Sequence, residues 1–360
     1  MKISILTNSP NCKAVKQIQN SIINRGHKAP ILILDNIKIV ISNNEKGFDS
    51  IYYTSNNKTS KLSKASIGDA ILPRIGSNVP FGAKVIEHIR NMGVYSTISG
   101  SGLLIAYDKL KTLQVVSNFG IRTPKTIMGN NVQDVDYIVK QLGLPVIIKF
   151  IHGSLGNGIS IVESRIGLQT TLQSFSKLHK PFIIQEYIEA DSKDIRVLVI
   201  GNQVIAAYHR KGRKGDFRAN LSQGGSGKPI SLSDADKVLC VKAAKAIGLE
   251  SAGVDLLKDQ YDKSYLIEIN ANYGLIGQHI TKINFCDAMV RFLEQKIGTL
   301  GNRKTDLNES RKYVEQLLPQ VIGKKIHFID RSNRKRSLTV RSVQDLESVM
   351  YDTFRINISN

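Results

Sequence analysis

The stretch "YLIEINANYG", residues 265–274, constrains this chain more than any other, because it reads as a strand with a buried face and yet carries Glu268 and Asn270. Side chains alternate along a strand, so Tyr265, Ile267 and Ile269 are expected on one face and Leu266, Glu268 and Asn270 on the other. A half-buried carboxylate is costly unless something offsets it. A hard cation such as Mg²⁺, which accepts carboxylate and amide oxygens, would do so. So would backbone hydrogen bonds at a sheet rim. Asp255, at the end of "SAGVDLL", offers a third oxygen from a strand expected nearby.

The rest of the chain is compatible with a folded soluble protein. Its 360 residues suffice for two or three domains, and an apolar fraction of 41% is that of a globular protein. Cys12, Cys240 and Cys286 lie far apart, without a C-x-x-C pair or clustered histidines, so neither a disulfide framework nor a zinc site is expected. A reducing, cytoplasmic setting follows. No apolar run approaches the roughly 18 residues of a membrane span. The net charge of +20 would attract nucleotides, acidic peptides or RNA, or be spread over a solvated surface.

Periodicity predicts a βαβ opening: strand "KISIL", a helix from Cys12 to Arg25 ended by Gly26, then strand "PILIL". The first loop lacks G-x-G-x-x-G, so no dinucleotide site is expected there. Residues 42–64 read as a loop or edge hairpin. Strand "DAILPRIG" then places Arg74 at a carboxyl end, where open sheets bind ligands. One helical pattern covers "AYDKLKTLQVVSNFG" and another runs from Val132 to Gly143. Strands follow at "LPVIIKF", "ISIVE", "PFIIQEYIE", "DIRVLVIG" and "QVIAAYHR". A helix capped by Ser233 runs to Ile247, and after the last two strands another spans about 287–296. Beyond Gly298 a linker leads to a small basic module with strands "KKIHFID" and "SLTVR" and a helix capped by Ser342.

Three further stretches bear on chemistry. In "KFIHGSLGNGISIV", Gly153, Gly156 and Gly158 with Ser154 form a lid-like hairpin whose N–H groups suit phosphate oxygens, with Lys149 at its base. It is neither a Walker loop nor a kinase loop, and an ordinary hairpin is the competing reading. "IIQEYIE" could cross between two lobes and read a purine edge by its backbone, or be a plain sheet strand. The basic loop "HRKGRKGDFRANLSQGG", with Arg210 and Arg218, suits carboxylates or phosphates, or RNA.

Taken in order, "LPRIG", "YDKLKTLQ", "VIIKF…GSLGNGISIV", "IIQEYIEADSKDIRVLVIG", "RKGDFRANLSQGG", "AGVDLL" and "IEINANYGL" resemble the RimK family of ATP-grasp glutamate ligases from residue 1 to about 296. The resemblance implies an α/β (α+β) chain. An N-terminal Rossmann-like pre-ATP-grasp domain (1–96) would precede an ATP-grasp domain (97–298; lid lobe about 120–185, second lobe about 186–298). A C-terminal extension would follow at 299–360.

The same resemblance implies ATP with two Mg²⁺ or Mn²⁺ ions held by Asp255, Glu268 and Asn270, Glu268 bridging. It places Lys109 and Lys149 on the ATP phosphates and Glu186 and Tyr187 at the adenine hinge. Asp194 would lie near the ribose, and Arg218, Ala219 and Asn220 on the phosphate side. Lys149 and Arg218 would be catalytic. Independently of the resemblance, Arg74 at its strand's carboxyl end and Arg210 in the basic loop are expected to bind the acidic substrate.

The reaction implied is amide-bond formation through an acylphosphate, adding L-glutamate to the acidic C-terminus of a protein or peptide. A small or coenzyme acid is an alternative acceptor, and a non-catalytic RNA- or ribosome-binding protein is the alternative class. A homo-oligomer is expected. After Asn270 the family continues with a Ser-Pro-Gly run, whereas this chain reads "ANYGLIGQH", which bears on the acceptor.

Overall fold

The structure, a computed structural model, describes residues 1–41, 50–129, 134–153, 158–191, 193–212, 225–299, 323–329 and 335–342. The chain forms two compact units, Met1–Leu293 and Glu294–Asn360.

The first unit opens with a parallel sheet in the order Ile31–Ile33, Ile3–Thr7, Ala70–Arg74, Tyr95–Ser96. Helix Lys13–Asn24 follows Ile3–Thr7, and helix Val79–Asn91 follows Ala70–Arg74. All five residues of Ile3–Thr7 are buried, as expected for a strand covered on both faces. The polar region before Lys64 contains an antiparallel hairpin, Ser50–Ser55 with Lys58–Lys61, which also pairs with Ile37–Val40.

The segment read as one helix from Ala106 to Gly120 is two: Gly100–Tyr107 and Lys109–Asn118. Asp108 causes the break. Its backbone is extended, and its carboxylate accepts the Lys111 N–H as an N-cap, which ends one helix and starts the next.

Two antiparallel sheets follow. The smaller has the order Ile159–Val162, Val146–Phe150, Phe182–Glu186, Thr126–Ile127. Helices Val135–Leu142 and Arg165–Lys177 cover it, with Ile138, Val146, Ile148, Leu168 and Leu172 in their shared core. The larger has the order Ser226–Pro229, Gln203–Lys211, Lys193–Ile200, Ser251–Lys258, Ser264–Asn270. One apolar core runs from the parallel sheet (Leu6, Ile71) and the helix Val79–Asn91 (Ile86) into the larger sheet (Val197, Val254, Ile269), so these layers are packed as one body. The chain passes from one antiparallel sheet to the other through residues 187–192.

Strict alternation fails on the decisive strand. Asp255 pairs with Glu268 but Leu256 with Leu266, so Ile267 is an extra residue, a β-bulge. The bulge returns Leu266 to the core beside Ile269 and removes it from the face it was expected to share with Glu268 and Asn270.

In the second unit, Lys325–Ile329 and Lys335–Thr339 pair as an antiparallel hairpin. The helix expected after Ser342 lies outside the described residues.

Candidate active site

Four charges form an unbroken row across the larger sheet. Arg196 and Asp255 face each other on paired strands, as do Asp194 and Arg210. Both Arg196 Nε and Nη2 donate to Asp255, the latter at 2.8 Å. Arg210 donates from Nε and Nη2 to Asp194, each at 2.6 Å, and its Nη2 lies 3.0 Å from Asp255 Oδ2. All four side chains are at least largely buried: Asp255 is 3% exposed and Arg196 12%.

Burial alone would raise the Asp255 carboxyl. The two guanidinium groups outweigh it and hold Asp255 below the ordinary carboxylate range. Asp194 shares Arg210 with Asp255, and there burial prevails, raising it to about 6. Arg210, expected on a substrate carboxylate, thus uses its fork on two acids of its own chain. Asp194, expected near a ribose, is committed to Arg210.

At the end of the row, Asn270 Nδ2 lies 3.4 Å from Asp255 Oδ2. Glu268 Oε1 lies 3.5 Å from Lys109 Nζ. Lys109 begins its helix, and its ammonium also donates to the Gly153 carbonyl at 2.7 Å while its N–H reaches the Ile151 carbonyl. One lysine therefore links the bulged strand to the stem of the glycine loop. Next to that stem, His152 stacks on Tyr107 with ring centroids 4.5 Å apart.

Lys149 stands on an inner strand of the smaller sheet, with its ammonium under the influence of Glu268, Lys109 and Asp255. Burial lowers its pKa to about 8. Among the described residues it has no hydrogen-bond or ion-pair partner. Gly158, at φ 73°, sits where any Cβ would meet the Phe150 ring. Ser154 and Gly156, with Arg218, Ala219 and Asn220, lie outside the described residues.

Glu186 ends its strand where the chain leaves the smaller sheet, and its Oε1 accepts the Lys125 N–H at 2.7 Å. Its own N–H donates to the Lys125 carbonyl, so the crossing at 187 is strapped to the earlier segment near 125. Tyr187 follows, half-buried, with burial raising its phenol.

Arg74 ends the central parallel strand and donates from Nη2 to the Tyr273 carbonyl at 2.8 Å, three residues past Asn270. Arg196 was not singled out from the sequence, although Asp194 and Arg196 stand two apart and so share a strand face.

Asp255, Glu268 and Asn270 are oxygen donors on adjoining strands, a chemistry that fits a hard divalent cation. Among the described residues no group of three or more His, Cys, Asp or Glu side chains gathers as a metal site. The charges of Asp255 and Glu268 are balanced instead by Arg196, Arg210 and Lys109. Nor is any described helix long and apolar enough to cross a membrane.

Two antiparallel sheets joined by a short crossing, with lysines and carboxylates meeting between them, are the layout of the ATP-grasp class. Residues 1–103 match the RimK PreATP-grasp domain and residues 106–293 the RimK-like ATP-grasp domain. The chain belongs to the RimK-type family of ATP-grasp ligases.

A probable alpha-L-glutamate ligase of Trichodesmium erythraeum is 33% identical over 310 residues, which are 84% of this chain and 100% of that one. A probable alpha-L-glutamate ligase 2 of Shewanella frigidimarina is 32% identical over 301 residues, 82% of this chain and 97% of that one. Among solved structures, the ATP-grasp ligase PsnB, complexed with a phosphomimetic variant of its minimal precursor, Mg and ADP, shares the fold. Its TM-score is 0.62 at 17% identity, over 81% of this chain and 97% of that one. The macrocyclase MdnC of Microcystis aeruginosa, bound with precursor peptide MdnA, matches with a TM-score of 0.62 at 14% identity, over 82% of this chain and 100% of that one.

Proposed function

We propose that this ligase adds L-glutamate to the C-terminal carboxylate of a protein or peptide. The observation that carries the reading is the meeting of Lys149 and Lys109 with Glu268 and Asp255 between the two sheets. A buried ammonium without a hydrogen-bond acceptor among the described residues suits a multiply charged anion, and ATP supplies one. The names of the most similar relatives support glutamate as the amino donor. The peptides bound to PsnB and MdnC support a peptide as the acid. Buried, unpaired thiols at Cys240 and Cys286 are consistent with a reducing compartment such as the cytoplasm.

In this reading the acceptor carboxylate attacks the γ-phosphorus of ATP, ADP leaves, and the amine of glutamate displaces phosphate from the acylphosphate. Phosphoryl transfer of this kind needs charge neutralisation and alignment more than acid–base groups. Lys149 and Lys109 neutralise the transferring phosphate, and the family resemblance adds Arg218, Ala219 and Asn220 to that task. The 153–158 loop excludes water from the acylphosphate. Glu186 and Tyr187 hold the adenine end at the strapped crossing. Asp255, Glu268 and Asn270 would hold Mg²⁺ or Mn²⁺, which when bound neutralises charge on the phosphates.

The test is mass spectrometry of peptides with acidic C-termini, and of free small acids, incubated with the purified chain, ATP, Mg²⁺ and L-glutamate. Peptides should gain glutamate residues with matching ADP release. Gain on small acids alone would move the acceptor to that class, and ADP release without any adduct would overturn the glutamate assignment.

A further inference from the structure

In the parallel sheet, the chain leaves Ile3–Thr7 toward one edge and Ala70–Arg74 toward the other. The two strands are direct neighbours, with Thr7 opposite Arg74. The order of connections therefore reverses between them, and the crevice at their carboxyl ends is the switch point where open α/β sheets seat ligands.

The groups around this crevice favour an anion. Among the described residues, the ionisable side chains acting on the Arg74 guanidinium are Tyr273, Cys12 and Cys286, with no carboxylate among them. Its one hydrogen bond among the described residues goes to a neutral carbonyl, and burial lowers its pKa. An arginine in such surroundings lacks the bidentate acid that normally repays its desolvation.

The helices that start at the crevice point the same way. Lys13–Asn24 and Val79–Asn91 take no side-chain cap at Cys12 or Asn78. The other described helices of eight residues or more are capped, by Ser99, Asp108, Asp134, Ser164, Ser233 and Asn284. Their first-turn N–H groups are satisfied locally, and these two leave theirs for something else. Asn8, one residue beyond Thr7, donates from Nδ2 to Asp35 Oδ1 at 3.5 Å, and its buried Oδ1, which has no hydrogen-bond partner among the described residues, can take only a donor and so adds nothing to carboxylate binding. The facing wall is the segment that departs from the family pattern: Arg74 packs over the Tyr273 ring at 5.7 Å, and a Cβ at Gly76 would lie 3.4 Å from Asn272 Nδ2.

We infer that this crevice is a carboxylate subsite, in which Arg74 and the two uncapped helix starts hold the non-reacting carboxylate of a substrate. The inference rests on the ligase reading for its role and names the substrate feature that the reading left open. The carboxylate could belong to the glutamate donor or to an acidic side chain near the acceptor's C-terminus. Because Tyr273 follows Asn270 by three residues, a substrate anchored here would extend toward the acids of the larger sheet.

Three variants of the full chain test it, by steady-state kinetics with L-glutamate, ATP and a hexapeptide ending in glutamate varied in turn. Arg74→Met should raise the KM for glutamate or for the peptide about ten- to a hundredfold, the loss expected for a charged hydrogen bond, without changing the KM for ATP. Arg74→Lys should fall between. Which KM moves identifies the source of the carboxylate.

Cys12→Asp separates the subsite from a merely structural anchor for Tyr273. The new carboxylate caps helix Lys13–Asn24 and neutralises Arg74, so the melting temperature should rise while the same KM rises. Unchanged KM values for both carboxylate substrates in any folded variant of the three would overturn the subsite. If the wild type joins glutamate to nothing, the ligase reading fails separately. Calorimetric binding of L-glutamate and of the hexapeptide to wild type and to Cys12→Asp then decides the subsite, and equal affinities would reject it.

Discussion

On the larger antiparallel sheet, Arg196, Asp255, Arg210 and Asp194 each meet a charge of opposite sign, whereas Lys149 on the smaller sheet has no partner among the described residues. The first arrangement fixes side chains before any substrate arrives. The second stores an unfavourable burial that an anion can relieve. In the proposed reading the larger sheet orients and the smaller sheet meets phosphate, and that comparison can be broken from either side.

The largest effect should come from the row of charges. Arg196→Met leaves Asp255 short of its bidentate partner and should cost about 3–5 kcal/mol of stability in urea unfolding. Combining it with Asp255→Asn should recover much of that loss. A cost under about 1 kcal/mol would mean that the row is not a coupled network.

Glu268→Gln tests the junction between the two sheets. It keeps the shape while removing the charge beside Lys109, and turnover should drop about 10²–10³-fold with little change in melting temperature. Near-normal turnover would remove Glu268 from the chemistry.

Lys149→Met should do the reverse of Arg196→Met. It should raise stability at pH 7 by about 1–3 kcal/mol, because a desolvated charge is removed, while the KM for ATP rises. Loss of stability would show that the ammonium is already satisfied.

The smallest effect is a pH slope. Burial holds Lys149 at about 8 in the folded chain against an ordinary 10.5, so between these values the unfolded state binds more protons. Stability contributed by this group therefore rises with pH across that window, and Lys149→Met should lack the rise. The KM for ATP should worsen above about pH 8 in the wild type as the ammonium loses its proton. Lys149→Arg should push that limb to higher pH.

Much of the fold was legible because its signals are local. Ser233 capping its helix and the hairpin of "VIIKF" with "ISIVE" both follow from residues within one or two elements of each other. The break at Asp108 was equally local but masked by helical spacing that runs through it. The missed helix Arg165–Lys177 carries a Ser164 cap that could have announced it. The bulge at Ile267 had no such signal, since it arises from the register with Ser251–Lys258.

The site divides in the same way. The sequence alone singled out the residues proposed to carry the chemistry, namely the acids and amide at 255, 268 and 270 and the lysines at 109 and 149, and a family order that no single motif could establish. Only the tertiary structure decided how they are partnered. Arg196 and Asp255 lie 59 positions apart and Arg74 and Tyr273 199 apart, so their pairings follow from which strands and layers become neighbours. A charge's meaning depends on what is brought within a few ångströms of it and on how much water is removed. That made Arg210 a partner of two acids and left Arg74 without one.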